Sequence, residues 1–278
     1  MNLLKKAELL SEALPYTKQY KNKVVVIKFG GNALSKIGNV IEDIVLLKRI
    51  GIKPIIVHGA GSEIDTELRK IKIKPKFING LRYTDSKTIK VVEEVFNRIN
   101  NEIVFNVINR GAKSINANGY IQVKQKSPEL GLVGEITDIV TDSITKLIDS
   151  SFIPVISPLG IGDGGKYYNI NADTTASHIA VSLKAEKLTI LTDVDGVMIN
   201  DKLLSHLDFK TAEKEIERGA ITKGMIPKVE ACIYAVKNKC PKAHLLNGLT
   251  PHSLLLEMFT DQGLGTDVVF KNGCKRYH

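Results

Sequence analysis

The sequence of 278 residues has no tryptophan, only three cysteines and no long apolar segment. No run approaches the roughly 18 apolar residues of a membrane span, so we expect no membrane association. The cysteines (Cys232, Cys240 and Cys274) are odd in number and lack metal-ligand spacing, which favours buried or incidental thiols in a reducing compartment. Acids lie among the apolar residues of the N-terminus, so we expect no secretory signal. These absences favour a cytoplasmic protein, or a plastid stromal one if the gene is organelle-encoded.

Arginine is also scarce, since it supplies only 7 of the 39 basic residues behind a net charge of +9. The lysines are spread along the chain and aromatic residues make up only 6% of it. Nucleic-acid surfaces favour clustered Arg and Lys with aromatic side chains between them, so we expect no nucleic-acid partner. The basic excess would also suit an anionic small-molecule substrate. Charge alone does not decide between these interpretations.

The apolar patterning predicts an open α/β sheet. A continuous apolar strand over residues 24–29 leads into a glycine pair, and a second strand at 54–57 leads into another glycine loop; each is followed by a helical pattern. This repeat predicts right-handed βαβ units with buried parallel strands. Further strands are predicted at 153–157, 187–191, 243–246 and 266–270, a hairpin within 120–140, and helices at 41–50, from 63, 86–109, 173–183, 209–218, 225–238 and 253–259.

The N-terminal segment is predicted to be an amphipathic helix over residues 3–14 that ends at Pro15, because proline cannot continue the hydrogen-bond ladder. Two interpretations of this helix remain open: it packs on its own domain, or it is an arm that docks on another subunit. We place a lobe boundary near residue 184. The expected organisation is an arm over 1–22, a first lobe over 23–183 and a second lobe over 184–278.

Two glycine loops at the ends of adjacent parallel strands indicate an anion-binding crevice. Neither loop matches the dinucleotide or P-loop fingerprint, and tight turns use glycine for steric reasons as well. Lys28 adds a stronger signal, because a lysine in an apolar strand is costly unless it is paired. Lys228 lies near a helix start and suits a phosphate, and Asp173 is either a helix cap or a carboxylate that orients both lysines.

Six segments occur in the order seen in acetylglutamate kinases, and the chain resembles that branch of the amino acid kinase family almost from end to end. The segments are 27–31 (IKFGG), 57–61 (VHGAG), 79–84 (NGLRYT), 169–173 (NINAD), 191–196 (LTDVDG) and 221–228 (ITKGMIPK). The 79–84 segment is the most discriminating. The resemblance implies a three-layer αβα sandwich with a mainly parallel central sheet and two lobes, the first for the acyl amino acid and the second for ATP.

The resemblance also implies residue roles. Lys28 and Lys228 would contact the transferring phosphoryl group, Asp173 would hold both lysines, and the N–H groups of Gly31 and Gly61 would face its oxygens. The substrate-binding residues would be Ala60, Gly61, Arg82 (on the α-carboxylate) and Asn169. The nucleotide-binding residues would be Asp193, Val194, Asp195, Gly196, Val197, Met198, Ala220, Ile221 and Thr222.

The implied reaction is ATP-dependent phosphorylation of the γ-carboxylate of N-acetyl-L-glutamate to N-acetyl-L-glutamyl 5-phosphate, the second step of arginine biosynthesis. A carboxylate with a pKa of about 4.3 is already ionised at pH 7, so no general base is needed. Mg²⁺ would be held mainly by phosphates and water, with no protein metal site. The alternatives are another amino acid kinase, of the aspartate or glutamate 5-kinase type, and a non-catalytic arginine-binding regulatory module.

The chain ends also resemble arginine-inhibited acetylglutamate kinases. Tyr16, His244, Glu257 and Gly263 would contact arginine, and the N-terminal arms would join dimers into a hexamer, a trimer of dimers. A PII signalling protein is a further partner that family analogy suggests. The bland alternative for the effector segment is an amphipathic C-terminal helix with a capping glycine.

Three departures from the usual family pattern stand out. Ala60 replaces a glycine and would be strained if that position needs a positive φ. The 247–249 segment (NGL) replaces the usual Asp-Gly-Arg, which weakens the arginine-site inference. Lys223 adds a charge near the nucleotide.

Overall fold

The computed structural model describes residues 3–31, 37–221, 224–261 and 263–270. This part of the chain forms nine α-helices and sixteen β-strands. The helices are α1 (Leu3–Tyr20), α2 (Ile37–Arg49), α3 (Gly61–Lys70), α4 (Thr88–Asn109), α5 (Thr141–Asp149), α6 (Ala172–Ser182), α7 (Phe209–Glu217), α8 (Ile226–Lys237) and α9 (Ser253–Phe259). The strands are β1 (Val24–Phe29), β2 (Lys53–His58), β3 (Phe77–Ile78), β4 (Leu81–Arg82), β5 (Ser114–Asn116), β6 (Ile121–Gln125), β7 (Gly134–Ile139), β8 (Ile153–Ile156), β9 (Leu159–Ile161), β10 (Tyr167–Asn169), β11 (Lys187–Thr192), β12 (Met198–Ile199), β13 (Lys202–Leu203), β14 (His206–Asp208), β15 (Lys242–Asn247) and β16 (Thr266–Val269).

The central sheet has eight strands in the order β14-β16-β15-β11-β1-β2-β8-β5. All neighbouring pairs are parallel except β15 and β16, which are antiparallel. The strands at its centre are apolar runs because they are covered on both faces. The predicted α/β class with a mainly parallel sheet is confirmed.

Helices cover both faces of this sheet and give the molecule three layers. Val26 and Ile190 belong to the core on one face, which α5, α6, α7 and α8 cover. Val25 and Ile27 belong to the core on the other face, which α2, α3, α4 and α9 cover. Alternate residues of one strand thus enter different cores, as the pleat requires. The three-layer αβα sandwich is therefore confirmed.

A smaller four-stranded sheet, in the order β10-β9-β6-β7, contains the predicted hairpin as the antiparallel pair β6 and β7. It continues into β10, which ends at Asn169, just before α6. The small sheet therefore delivers the 169–173 segment to the edge of the central sheet.

The lobe boundary that we placed near residue 184 lies between α6 and β11. Across it the main sheet is continuous, because β11 pairs directly with β1 in parallel. The division into two lobes stays a prediction.

Helix α1 runs through Pro15 to Tyr20, so the prediction that Pro15 ends the helix is wrong. Proline deprives one carbonyl of its helical partner, but this cost is local. The Thr17 hydroxyl donates to the Leu14 carbonyl (2.8 Å), which adds a bond beside the proline. Contacts with α9 and the loop after it favour the longer helix: Tyr16 donates to the Asp261 carboxylate, and a Glu12 carboxylate oxygen accepts the Asp261 N–H (2.9 Å). Within one chain, therefore, the N-terminal helix packs on the C-terminal segment.

An ion pair between His252 and Asp43 connects α9 to α2. His252 Nδ1 lies 2.6 Å from Asp43 Oδ1, with the Asp43 side chain buried and the His252 side chain 49% exposed. Burial raises the pKa of Asp43, and the contact with His252 offsets part of that rise. The Asp43 carboxylate raises the pKa of His252, and Glu42 adds to this.

We expect His252→Gln to lower the free energy of unfolding by about 1 kcal/mol near pH 6 and by less near pH 9. Because the pKa of His252 is higher in the folded state, its ion pair with Asp43 stabilises the fold fully below pH about 6.5, the ordinary pKa of histidine. This stabilisation is lost as the pH rises through the folded-state pKa. Urea unfolding at several pH values measures this. His206→Gln is the matched control, because that side chain is equally exposed and 3.8 Å from its acid. A loss that does not change with pH would contradict the expectation.

Two further observations concern the membrane and thiol predictions. In the described ranges no helix is both long and apolar enough to cross a bilayer. Cys232 and Cys240 are buried free thiols, and burial raises the pKa of both, to about 11 for Cys240. Burial and the raised pKa both disfavour the reactive thiolate form of these cysteines at neutral pH. Cys274 lies outside the described residues.

Candidate functional site

A cavity of about 210 Å³ opens at the carboxyl ends of β1 and β2, where ligands bind in open α/β sheets. The two glycine loops, the β3–β4 hairpin and the start of α6 form its walls. It gathers most of the residues proposed for catalysis and substrate binding. Those that line it are Lys28, Gly31, Ala60, Gly61, Arg82, Asn169 and Asp173.

Lys28 reaches this cavity from inside the central sheet. It pairs in register with Ile190 of β11 and Val57 of β2, one residue before β1 ends. The residue is only 7% exposed, so its charge needs a partner. The pleat puts Lys28 on the same face as Val26, the face that α6 covers.

That partner is Asp173, in the first turn of α6. Its Oδ1 is 2.8 Å from Lys28 Nζ and its Oδ2 is 3.6 Å from Lys228 Nζ, which comes from the first turn of α8. Burial by itself raises the pKa of Asp173, but the two ammonium groups outweigh it and hold the pKa below its usual value. The carboxylate therefore stays ionised and holds the two lysines beside one another.

Asn171 caps α6 and fixes the direction in which Asp173 points. Its side-chain oxygen accepts the N–H groups of Asp173 (2.8 Å) and Thr174 (3.0 Å). Such a cap satisfies two orphan donors of the first helical turn. The same helix start contributes a partial positive charge to the cavity.

The two glycine loops touch backbone to backbone. The Gly59 N–H donates to the Phe29 carbonyl (2.8 Å), and a Cβ on Gly30 would lie 2.9 Å from the Gly59 Cα, nitrogen and oxygen. Gly31 has a φ of +56°, which favours glycine. His58 precedes the second loop, and burial lowers its pKa to about 3, so the ring is neutral.

Ala60 does not have a positive φ. Its φ of −147° lies in the ordinary negative range, so the conditional expectation of strain does not apply. The residue is buried and lines the cavity, where a glycine would leave more room. Ala60 therefore takes up space in the cavity wall at the second glycine loop.

Arg82 reaches the cavity from the β3–β4 hairpin, beside the second glycine loop. Its Nη2 donates to the Gly61 carbonyl (3.0 Å) and its Nη1 to the Asp65 carboxylate. Its guanidinium also stacks on Phe77, 4.8 Å from the ring centre. Asn169 also lines the cavity; it is buried, and its amide donates to the Thr84 hydroxyl (3.2 Å).

The residues proposed for the nucleotide do not line this cavity. Residues 193–198 follow the carboxyl end of β11, and Ala220 and Ile221 follow α7. Thr266 fixes the first group by accepting the Val197 N–H (2.8 Å). Asn247 adds a bond from its amide to Asp195 (2.8 Å). Thr222 and Lys223 lie outside the described residues.

The residues proposed for arginine meet at a different place, around α9. Glu257 Oε1 is 3.0 Å from Lys187 Nζ and 3.1 Å from His244 Nε2, and its Oε2 accepts the Leu264 N–H (2.7 Å). Both carboxylate oxygens of Glu257 are thus already bound by groups of this chain. Tyr16 bonds to Asp261, and Gly263 precedes Leu264 in the loop before β16.

Lys187, Glu257, His244 and Asp267 form a buried cluster of four ionisable side chains. His244 Nδ1 lies 3.4 Å from Asp267 Oδ1. Burial alone lowers the pKa of Lys187, but Tyr20 and Glu257 outweigh it and raise the value. The cluster joins three neighbouring strands, β11, β15 and β16, to helix α9.

Sequence reasoning missed three residues with a direct bearing on these sites. Asn171 had a signal, because Asn before a helix is a common cap. Lys187 had the same signal as Lys28, a lysine in an apolar strand. Asp65 had none, because only the fold brings its helix beside Arg82.

Comparison with known proteins agrees with this geometry. Residues 23–247 match the model of the amino acid kinase family. An acetylglutamate kinase of Thermoanaerobacter pseudethanolicus is 46% identical over 275 residues, 94% of this chain and 92% of the relative. An acetylglutamate kinase of Desulforamulus reducens is 44% identical over 281 residues, 96% of this chain and 98% of the relative.

Solved structures share the fold. An N-acetylglutamate synthase from Neisseria gonorrhoeae, complexed with coenzyme A and N-acetyl-glutamate, superposes with a TM-score of 0.88 at 25% identity. The match covers 95% of this chain but only 63% of the synthase. A carbamate kinase from Giardia lamblia superposes with a TM-score of 0.69 at 17% identity over 89% of this chain and 98% of that one. The chain therefore belongs to the amino acid kinase family, and the acetylglutamate kinases are members that it resembles over nearly its whole length.

Proposed function

We propose that this chain transfers the γ-phosphoryl group of ATP to the γ-carboxylate of N-acetyl-L-glutamate. The observation that carries the proposal is the arrangement of Lys28, Asp173 and Lys228 beside two glycine loops, with Arg82 in the same cavity. The acetylglutamate kinases that match nearly the full length support the choice of acceptor.

The acceptor carboxylate supplies its own electron pair, because a Glu-type carboxyl has a pKa of about 4.3 and is ionised at neutral pH. No base has to remove a proton, so the work of the protein is alignment and charge stabilisation. Lys28 and Lys228 face the transferring group, and Asp173 keeps them in place. The N–H groups of Gly31 and Gly61 add donors for its oxygens.

The other end of the acceptor is held further along the same cavity. The Arg82 guanidinium suits the α-carboxylate, because its planar fork matches two carboxylate oxygens. Asn169 lies in the lining and is placed to bind polar groups of the acyl amino acid. Residues 193–198, 220 and 221 are proposed for the nucleotide.

Mg²⁺ enters as part of the ATP substrate. Asp173 is the one acid that lines the cavity among the described residues, and both its oxygens face lysines. No group of three His, Cys, Asp or Glu side chains in the described ranges could hold a metal. The ion therefore fits as one held by phosphates and water, which is common for Mg²⁺.

An ADP-release assay with MgATP tests the proposal. We expect turnover with N-acetyl-L-glutamate and little or none with aspartate, glutamate or carbamate as acceptor. Activity with one of those three and not with acetylglutamate would refute the choice of substrate. Absence of turnover with any acceptor would favour the non-catalytic alternative.

We also propose arginine inhibition and hexamer formation through α1. Support comes from the contacts of Glu12 and Tyr16 with Asp261, which tie α1 to the segment proposed for arginine. Arginine would have to share or displace the contacts of Glu257. Arginine should lower activity in the same assay, and a chain without residues 1–20 should sediment as a dimer; an unchanged mass would count against the arm.

A further inference from the structure

The Arg82 guanidinium is attached to the first turn of α3 at two points. Its Nη2 donates to the Gly61 carbonyl (3.0 Å) and its Nη1 to Asp65 Oδ1. Gly61 and Asp65 are four residues apart, about one helical turn, so the Gly61 carbonyl and the Asp65 side chain lie close enough for one guanidinium to contact both. The two terminal nitrogens of a guanidinium match such a pair, and its remaining N–H groups are left for a ligand.

The β3–β4 hairpin also restrains the Arg82 guanidinium, in addition to its two contacts with α3. Arg82 pairs with Phe77 across β3 and β4, and its guanidinium stacks on that ring at 4.8 Å. The Arg82 side chain is only 8% exposed. A long side chain is thus ordered before any substrate arrives.

Asp65 stands behind Arg82 and outside the lining of the cavity. A carboxylate facing the cavity directly would repel an anionic substrate, whereas one behind the guanidinium can orient it. The orientation has a cost, because Asp65 also cancels part of the positive charge that attracts the substrate.

We propose that Asp65 is a positioning residue that orders the Arg82 guanidinium for the α-carboxylate of the substrate. This inference rests on the proposed function. It is distinct from a general electrostatic role, because removing a negative charge from an anion site would by itself tighten substrate binding. Loss of orientation acts in the opposite direction.

Kinetics of Asp65→Asn and Asp65→Ala separate these effects. We expect the KM for acetylglutamate to rise about threefold in the first variant and about tenfold in the second, since the amide can still accept from Nη1 but without charge assistance. We expect kcat and the KM for ATP to change less than twofold. Glu67→Gln is the matched control, since it removes the same charge from α3 at a residue paired with Lys70 and Arg98.

A double-variant cycle shows whether Asp65 acts through Arg82. In an Arg82→Ala background, Asp65→Ala should add little to the rise in KM. An unchanged or lowered KM in Asp65→Asn would overturn the inference. So would a full effect of Asp65→Ala without Arg82, or a parallel fall of kcat and thermal stability.

Side-chain ¹⁵N NMR of the arginines provides a readout that needs no substrate. The Arg82 signals, assigned by their absence in Arg82→Lys, should show slow guanidinium rotation in the unsubstituted chain and fast rotation in Asp65→Ala. Identical rotation in both would overturn the inference even if the enzyme is active. Slow rotation that Asp65→Ala abolishes, in a chain without acetylglutamate turnover, would refute the proposed function and still support the positioning of Arg82.

Discussion

Lys28→Ala is expected to lower kcat by about 10²–10³-fold, with a smaller effect on either KM. Lys28 supplies a buried positive charge where charge develops on the transferring group, and such donors contribute most in the transition state. The ADP-release assay with saturating MgATP and acetylglutamate measures the loss. The same substitution should abolish the function in cells, whereas a non-catalytic module would tolerate it.

Lys23→Ala is the matched control for this variant. Lys23 immediately precedes β1, but its side chain is 53% exposed and pairs with Glu186 at 3.4 Å. We expect its activity to stay within twofold of the unsubstituted chain. Thermal denaturation of both variants separates loss of catalysis from loss of fold, and Lys228→Ala provides a second, more exposed lysine of the same site. A kcat within tenfold of the original for Lys28→Ala would contradict the assigned role.

Lys187→Met is expected to lower the free energy of unfolding by about 3–5 kcal/mol. Lys187 is 1% exposed, and its loss would take from the buried Glu257 carboxylate the ammonium group that lies 3.0 Å from it. Removing one partner of a buried pair costs this much because the other charge is left uncompensated. Urea unfolding at neutral pH measures the change.

Adding Glu257→Gln to Lys187→Met should recover part of that loss, since it removes the buried charge that has lost its ammonium partner. Lys242→Met is the matched control, because Lys242 occupies the paired position in β15 and is only partly buried. We expect less than about 1 kcal/mol there. Equal losses at the two lysines, or no recovery in the double variant, would show that the pair contributes little.

The sequence predicted the central layer well because its signals are local. Apolar runs followed by glycine indicated β1 and β2 and the loops after them, and 3.6-residue periodicity indicated helices such as α4 and α8. The prediction that Pro15 ends the helix is wrong because contacts between residues distant in the sequence decide where α1 ends. The helix continues because α1 gains contacts with α9 and with Asp261, which lies 249 residues beyond its partner Glu12.

A lysine in an apolar strand predicts a buried ion pair, but it does not by itself predict a ligand site. Lys28 and Lys187 both interrupt apolar strands and both pair with a carboxylate. Of these two lysines, Lys28 lies near the carboxyl end of its strand, where the sheet opens into the cavity. Lys187 is the first residue of β11 and pairs with Glu257 of α9. Position along the strand, and not burial, distinguishes the lysine of the proposed anion site from the lysine of the other buried ion pair.

The remaining parts of the candidate site could not be found from local pattern. Asp65 bonds to a residue 17 positions away, through a helix and a hairpin whose approach no periodicity encodes. The expectation at Ala60 depended on a backbone angle that the sequence does not report.

The contact between the glycine loops restricts which substitutions Gly30 and Gly31 can accept during evolution. Gly30 is restricted by steric contact, because the Cβ of any other residue would lie 2.9 Å from backbone atoms of Gly59. A replacement would therefore have to push the two loops apart. No described residue lies within 4 Å of the place that a Cβ on Gly31 would take, and the restriction that the described part of the chain shows is its left-handed backbone, which Asn and Asp adopt at modest cost. Two adjacent glycines that look equivalent in the sequence should therefore differ in what natural variation can place there, and the first would be invariant for reasons unrelated to ATP.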